Sequence, residues 1–183
     1  MRSRSWFKLK EIQEKDKILS PGMRVIDLGS YPGGWSLYSS KIVGRLGHII
    51  SCDIKPMDPI KNVHFFQGDV FDRSTITRLS DNLKFPAHVI LSDMCPNITG
   101  ISIIDIPKCF LLTEKVIEIC KFMLIPEGSC ILKMFYGKNF SNQYQKIRNI
   151  FSSVKIRKPH SSIKQSNEIY IIAKRFKCGV SKI

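Results

Sequence analysis

The sequence lacks several features that mark other classes of protein. None of its six cysteines forms a C-x-x-C pair and no histidine lies at metal-ligand spacing, so we expect no metal site. The best candidate for a membrane span, residues 116–125, is short and is interrupted by Glu118 and Lys121. The N-terminus is basic and has no apolar signal core. We therefore expect a cytoplasmic protein with reduced thiols and no membrane partner.

Acidic residues are also scarce. The 183 residues include 15 Asp and Glu against 29 Lys and Arg, a formal net charge of +14. Such an excess favours a polyanionic partner, most often nucleic acid, although a lysine-rich composition without a binding role is the alternative. The length and a hydrophobic content of 43% fit one globular domain with a single core.

Short runs rich in Val and Ile alternate along the chain with helical patterns. We predict strands at 24–28, 48–53, 63–67, 89–91, 129–134, 154–157 and 168–173. Helices are predicted at 5–15, 106–124 and 140–150, with Asp105 as the N-cap of the second helix and Pro107 in its first turn. This alternation indicates an α/β fold whose parallel sheet has helices on both faces. Ligands of such sheets bind outside the carboxyl ends of the strands.

The loops after the first three strands carry residues suited to an adenosine-containing ligand. The first loop, DLGSYPGGWS, contains Gly29, Gly33 and Gly34, which permit a tight turn and a close ligand approach before a helix. Its spacing is not G-x-G-x-x-G, so it fits a dinucleotide fingerprint poorly. The Asp53 carboxylate could accept hydrogen bonds from ribose hydroxyls, and that of Asp69 could accept one from an adenine amino group. A purely structural turn and ordinary exposed acids are the alternatives.

Four sequence blocks together resemble the FtsJ family of rRNA 2′-O-methyltransferases: DLGSYPGGW, SDMCPN, LKMF and NEIYIIA. A fifth block near the N-terminus, SRSWFKLKEI, is similar to the same family, and all five occur in the family's order between about residues 2 and 174. The resemblance implies a Rossmann-like methyltransferase fold with a seven-stranded, mostly parallel sheet whose last hairpin strand is antiparallel. It also implies S-adenosylmethionine as the cofactor.

The resemblance further implies the site residues. The family's catalytic tetrad falls on Lys8, Asp93, Lys133 and Glu168. Its cofactor contacts fall on Gly33, Trp35, Asp53, Asp69 and Asp93. The sequence departs from the family at Ser30, Tyr31 and Cys95, where small residues such as alanine are more usual, and this puts the shape of the methionine pocket in question.

The chemistry explains why lysines and carboxylates suit this reaction. A ribose 2′-hydroxyl is a poor nucleophile, so transfer from a sulfonium requires in-line positioning and a group that takes the hydroxyl proton. Lys133 can take it only as a neutral amine. Burial and the neighbouring Lys8 favour that form, whereas Asp93 and Glu168 orient the amines but favour the charged forms. An ordinary lysine at a strand end is the alternative reading of Lys133.

We predict 2′-O-methylation of a uridine ribose in 23S rRNA, with the assembled 50S subunit as substrate, by a monomer. We expect residues 1–183 to form one methyltransferase domain, with an N-terminal helix segment at 1–20, the core at 21–175 and a tail at 176–183. Seven basic residues near the C-terminus suggest an RNA-docking surface. They are Lys155, Arg157, Lys158, Lys164, Lys174, Arg175 and Lys177. The alternatives are a tRNA or mRNA-cap methyltransferase, a nicotinamide-dependent oxidoreductase and a non-catalytic RNA-binding module.

Overall fold

The computed structural model describes residues 3–97, 99–137, 139–162 and 165–177, and of Ser102 the backbone alone. Lys164, one of the predicted RNA-docking residues, lies outside them. The described chain forms strands β1 Arg24–Leu28, β2 His48–Asp53, β3 Val63–Gln67, β4 Ala87–Ser92, β5 Leu124–Phe135, β6 Phe151–Arg157 and β7 Glu168–Phe176. Its helices are α1 Ser5–Asp16, α2 Gly34–Val43, α3 Arg73–Leu83, α4 Ser102–Met123 and α5 Phe140–Ile150.

The strands form one seven-stranded sheet in the order β3-β2-β1-β4-β5-β7-β6. The first five strands in this order pair in parallel, and β7 lies antiparallel between β5 and β6. The prediction of a mostly parallel sheet with one antiparallel hairpin strand is confirmed. The parallel part brings the carboxyl ends of β1 to β4 to one edge, where the predicted ligand loops follow.

Each face of the sheet carries its own core, because successive side chains of a strand point to opposite faces. Val25 packs with residues of α1 and α2, whereas its neighbour Ile26 packs with residues of α3, α4 and α5. The prediction of helices on both faces is therefore confirmed. Because both faces are covered, the central strands are apolar almost throughout, including the buried Cys52 and Cys130.

Helix α1 is held against α2, and this places the N-terminal helix beside the sheet edge. A Cβ at Gly34 would lie 2.3 Å from Ser3 Oγ and 3.2 Å from the Trp6 backbone nitrogen, so only glycine permits this approach. Trp6 packs edge-on against Tyr38 with ring centroids 4.8 Å apart, while Phe7 is exposed. Trp6 thereby packs against the core that α1 and α2 cover.

Two further contacts connect α1 to the edge strand β6 and to the segment that follows it. The Arg157 guanidinium donates two 2.8 Å hydrogen bonds to the buried Asp16 carboxylate. Glu11 accepts hydrogen bonds from the backbone N–H groups of His160 and Ser161 at 2.7 and 3.1 Å. Arg157 and the segment after β6 thereby fix the position of the helix that carries Lys8.

The predicted start of α4 is wrong. The helix begins at Ser102, four residues before the predicted start, and Ile101 occupies the N-cap position. Asp105 lies inside the first turn, where its carboxylate accepts 2.9 Å hydrogen bonds from the backbone N–H groups of Thr99 and Gly100. Asp105 thus organises the loop that precedes the helix. The added turn moves Pro107 beyond the first turn, where the lost N–H costs one helical hydrogen bond.

Strand bounds differ most at β5. It begins at Leu124, the residue at which α4 was predicted to end, and its pairing with β4 is irregular between Ala87 and Val89. Pro126 and Gly128 lie within this irregularity. Helix α3 was not among the predicted helices. In the described part of the chain, no helix is long and apolar enough to cross a membrane.

Candidate active site

A cavity of about 430 Å³ opens at the carboxyl ends of β1 to β4. Each of these strands contributes to its wall through the residues that follow it, and Leu111 and Leu112 of α4 close another side. Three of the predicted cofactor residues line this cavity, namely Asp53, Asp69 and Asp93. Its size lies within the range of cofactor pockets.

The acid that ends β2 and the acid that follows β3 are held in place by backbone donors. The Asp53 carboxylate accepts 2.8 Å hydrogen bonds from the N–H groups of Tyr31 and Lys55, one on each oxygen. Asp69 accepts one from the N–H of Phe71 at 2.9 Å. Because a carboxylate oxygen has more than one acceptor site, both groups keep capacity for hydroxyl or amino donors of a ligand.

Gly29 sets the width of the cavity at the end of β1. Its φ of 72° is a left-handed conformation, and an added Cβ would lie 2.5 Å from Met94 Cγ and 2.9 Å from Met94 Cα. A side chain at this position would therefore collide with the loop after β4. Glycine lets the loops after two neighbouring strands approach closely and form a continuous wall.

Gly33 and Trp35 do not line the cavity. Gly33 precedes α2 with a φ of 100°, and Trp35 follows within the first turn of that helix. The Trp35 ring is only 2% exposed, and its Nε1 donates a 2.9 Å hydrogen bond to the carbonyl of Ser5. Its side chain thus fastens α1 to α2. The predicted cofactor contacts of both residues remain predictions, and for Trp35 only the backbone N–H is available to make one.

The four predicted catalytic side chains converge beside this cavity. Lys8 donates a 2.6 Å hydrogen bond to Glu168 Oε1. Lys133 donates to Asp93 twice, to the carbonyl oxygen at 2.7 Å and to Oδ1 at 3.0 Å. All four side chains are largely buried, and that of Lys133 is only 7% exposed. Residues from α1, β5, β7 and the loop after β4 thereby form two adjacent ion pairs.

Tyr170 joins the two ion pairs and was not predicted from the sequence. Its hydroxyl lies 2.8 Å from Asp93 Oδ1, 3.3 Å from Glu168 Oε1 and 3.2 Å from Lys8 Nζ. Tyr170 stands two residues after Glu168 on β7, so both side chains lie on the same face of the sheet. That period-two relation was the signal in the sequence. Ser162 adds a 3.0 Å hydrogen bond to Glu168 Oε1.

Burial and the neighbouring lysines act in opposite directions on the acids of this cluster. Burial alone would raise the pKa of Glu168, but the hydrogen bond and charge of Lys8, the charge of Lys133 and the Ser162 hydroxyl together lower it. Burial, followed by the charges of Asp93 and Glu168, raises the pKa of Tyr170 far above its usual range. Glu168 is therefore ionised and the Tyr170 hydroxyl keeps its proton at neutral pH.

The hydrogen bonds of Lys133 leave one position of its amine available. A protonated amine has three donors, whereas a neutral amine has two N–H groups and one lone pair. The backbone carbonyl oxygen and the Oδ1 atom of Asp93 accept two of these hydrogens. The third position is left for a group in an adjoining cavity, whose wall includes Lys133. In the neutral form that position is a lone pair, which can accept a proton.

The predicted RNA-docking residues have mixed environments. Arg157 is committed to Asp16, and Lys174 Nζ donates to the carbonyl of Asp16. Lys177 donates to the carbonyls of Arg148 and Asn149. Part of the C-terminal basic cluster therefore also stabilises the fold, and its role in RNA docking remains a prediction. Within the described ranges, no group of His, Cys, Asp and Glu side chains is arranged to hold a metal ion.

The comparisons with known proteins agree with this geometry. The FtsJ-like methyltransferase model matches residues 1–176. The chain is 48% identical over 176 residues to ribosomal RNA large subunit methyltransferase E of Wigglesworthia glossinidia brevipalpis. The aligned region covers 96% of this chain and 86% of the relative. A Plasmodium falciparum structure described as a ribosomal RNA methyltransferase superposes with a TM-score of 0.85 at 29% identity, covering 96% of this chain and 98% of that one.

More distant structures share the fold alone. Aeropyrum pernix fibrillarin, crystallised with S-adenosylmethionine, has a TM-score of 0.63 at 14% identity and covers 92% of this chain and 73% of that one. The FtsJ-like model covers nearly the whole chain, and the predicted tetrad residues of that family are in mutual contact. By these observations the chain belongs to the FtsJ-like methyltransferase family.

Proposed function

We propose that this protein methylates the 2′-hydroxyl of a uridine ribose in large-subunit rRNA and that its substrate is the assembled 50S subunit. One observation carries the proposal: Lys8, Asp93, Lys133 and Glu168 form one linked cluster, and its member Asp93 lines the cavity after β1 to β4. The 48% identical relative, named for methylation of large-subunit rRNA, supports the choice of RNA.

The cofactor of this methyltransferase is S-adenosylmethionine, which supplies a methyl group on a positively charged sulfur, an electrophile that requires no metal. The residues present fit it. Asp53 suits the ribose hydroxyls and Asp69 the adenine amino group, and the close approach of Gly29 to Met94 joins the loops after β1 and β4 into one wall of the cavity. The backbone N–H groups after Gly33, including that of Trp35, begin α2 without helical acceptors and suit a carboxylate.

In this proposal Lys133 accepts the proton of the 2′-hydroxyl. Asp93 holds two hydrogens of the Lys133 amine, so the lone pair of the neutral amine faces the substrate side of the cluster. The resulting ammonium is then stabilised by the Asp93 carboxylate 3.0 Å away. Lys8 is held by Glu168 and Tyr170, and it places a second positive charge in the cluster.

The remaining parts of the proposal concern the molecule as a whole. The continuous sheet supports one methyltransferase domain over residues 1–183. We further propose that the protein acts as a monomer in the cytoplasm. The net charge of +14 supports RNA binding that weakens steeply as salt is added, because phosphate contacts release counterions.

Mapping of ribose methylation tests this function. Large-subunit rRNA from cells with and without the gene should differ at one 2′-O-methylated uridine. A plasmid with the natural gene should restore that methyl group, and one carrying Lys133→Ala should not. An unchanged methylation pattern in cells without the gene would contradict the proposal. Loss of a methyl group from tRNA instead would retain the chemistry and change the substrate.

A further inference from the structure

A second cavity, of about 640 Å³, lies on the other side of the catalytic cluster, and the function proposed above does not name the group that fills it. Lys133 and Glu168 form part of its wall. Met94, Cys95 and Leu112 line both this cavity and the cofactor cavity, so the two spaces are separated by a single layer of side chains. A group bound in the second cavity would therefore lie next to the transferred methyl group and to the lysine that accepts the proton.

The outer part of this second cavity is aromatic. Tyr136, just after β5, lines it with 47% of the residue exposed. The Phe140 ring supports that of Tyr136 at a centroid distance of 4.8 Å and an angle of 55°, and Phe140 in turn stacks on Tyr144. The backbone N–H of Tyr136 donates a 2.9 Å hydrogen bond to the carbonyl of Asn167. The structure thus presents a half-exposed ring held in place from two sides, which is suited to stacking a base.

A polar edge lies beside this ring. Asn167 lines the cavity, is exposed, and its side-chain amide has no hydrogen-bond partner among residues 3–97, 99–137, 139–162 and 165–177. An amide presents an acceptor and two donors, which match the paired acceptor and donor on the Watson–Crick edge of a pyrimidine. The local segment is fixed, because Ser166 Oγ accepts a hydrogen bond from the N–H of Glu168 and the Ser166 carbonyl accepts one from Lys158.

We propose that the second cavity holds the base of the nucleotide that is methylated, rotated out of the RNA stack, stacked on Tyr136 and bonded at its edge to Asn167. The inference rests on the proposed function and adds how the target ribose is presented. An RNA helix displays its 2′-hydroxyls in a wide, shallow minor groove that does not enter a narrow pocket, whereas a nucleotide extruded from the stack can bring its own ribose into one. With the base in this cavity, its own ribose lies beside Lys133 at the shared wall.

The test compares four variants on large ribosomal subunits purified from cells that lack the gene. Tyr136→Ala should raise the KM for these subunits on the order of 10- to 100-fold, the scale of one lost base-stacking contact. Tyr136→Leu keeps an apolar side chain without an aromatic face and should behave like Tyr136→Ala, whereas Tyr136→Phe should restore most of the affinity. Phe122→Ala removes an aromatic residue that is 65% exposed and lines neither cavity, and it is the matched control.

Two further readouts separate stacking from other roles of Tyr136. The affinity for S-adenosylmethionine should be unchanged in Tyr136→Ala, because the ring lines only the second cavity. The slope of log KM against log salt should equal that of the natural protein, because stacking releases no counterions. A weaker cofactor affinity would indicate a merely structural ring, and a slope reduced by about one would indicate a phosphate contact. Either result would overturn the proposal.

The same experiment distinguishes failure of this inference from failure of the proposed function. If the natural protein transfers no methyl group to large-subunit rRNA, the proposed function itself is wrong. If it does so and Tyr136→Ala or Tyr136→Leu retains the natural KM, the methyltransferase stands and the base site is refuted. Asn167→Ala, tested in parallel, should raise the KM less than tenfold, since it removes hydrogen bonds from an exposed edge.

Discussion

Replacing Tyr170 by phenylalanine removes the one hydroxyl that joins the two catalytic ion pairs. This hydroxyl has a single hydrogen, and its nearest acceptor is Asp93 Oδ1 at 2.8 Å. A hydrogen bond to a charged group contributes about 1.5–3 kcal/mol. Both carboxylates retain other donors, Asp93 from Lys133 and Glu168 from Lys8 and Ser162. We therefore expect the variant to lose stabilisation at the lower end of this range, about 1.5 kcal/mol. If the whole loss falls on the transition state, methyl transfer becomes about tenfold slower.

The assays are urea unfolding and single-turnover methylation of large subunits. Tyr38→Phe is the matched control, because Tyr38 is also buried and its hydroxyl has no hydrogen-bond partner in the described ranges. A Tyr170→Phe variant with unchanged stability and rate would show that the bridge contributes nothing. A rate loss of about 10⁴-fold would equally refute the reasoning, because it would mean that the hydroxyl takes part in the chemistry.

Three other changes test separate parts of the structure. Asp53→Ala should weaken S-adenosylmethionine binding by about 1–3 kcal/mol in calorimetry, and an equal effect of Asp81→Ala, at an exposed position of α3 outside the cavity, would contradict this. Arg157→Ala leaves the buried Asp16 carboxylate unpaired and should cost about 3 kcal/mol of unfolding free energy, whereas Lys155→Ala on the same strand should cost little. Burial raises the pKa of Asp27 to about 7, so the stability that it contributes below about pH 4 is lost as the pH rises through 7. Asp27→Asn should flatten this decline in urea unfolding between pH 4 and 8, and an unchanged slope would exclude Asp27 as its source.

The alternation of apolar runs predicted much of the sheet. The bounds of β1, β2 and β3 agree with the predicted ranges, because turns or loops separate these strands from their neighbours in the sequence. Those of α5 agree as well, although this helix runs directly into β6. The predicted start of α4 was too late, because Pro107 is typical of a first helical turn. In the structure the Asp105 carboxylate bonds to the backbone of Thr99 and Gly100, and the helix begins one turn earlier. Local preference could not show this, because it depends on hydrogen bonds to the preceding loop.

The candidate site was predictable where the family motifs name residues and less so where contacts form between distant segments. The predicted tetrad residues meet, and Asp53 and Asp69 line one cavity. Tyr170 was hidden within an apolar strand, where a tyrosine reads as core. The second cavity could not be predicted, because Tyr136, Phe140 and Asn167 meet only through tertiary packing.

The most direct test of the account is single-turnover methyl transfer by Lys133→Arg, measured across pH on large subunits that lack the methyl group. A guanidinium keeps the positive charge and hydrogen-bond donors but stays protonated, so it cannot accept the hydroxyl proton. We predict a rate at least about 10²-fold below that of the natural protein at every pH, with cofactor affinity nearly unchanged. A Lys133→Arg variant with a near-normal rate would contradict the role of Lys133 as the proton acceptor and leave it a positioning residue.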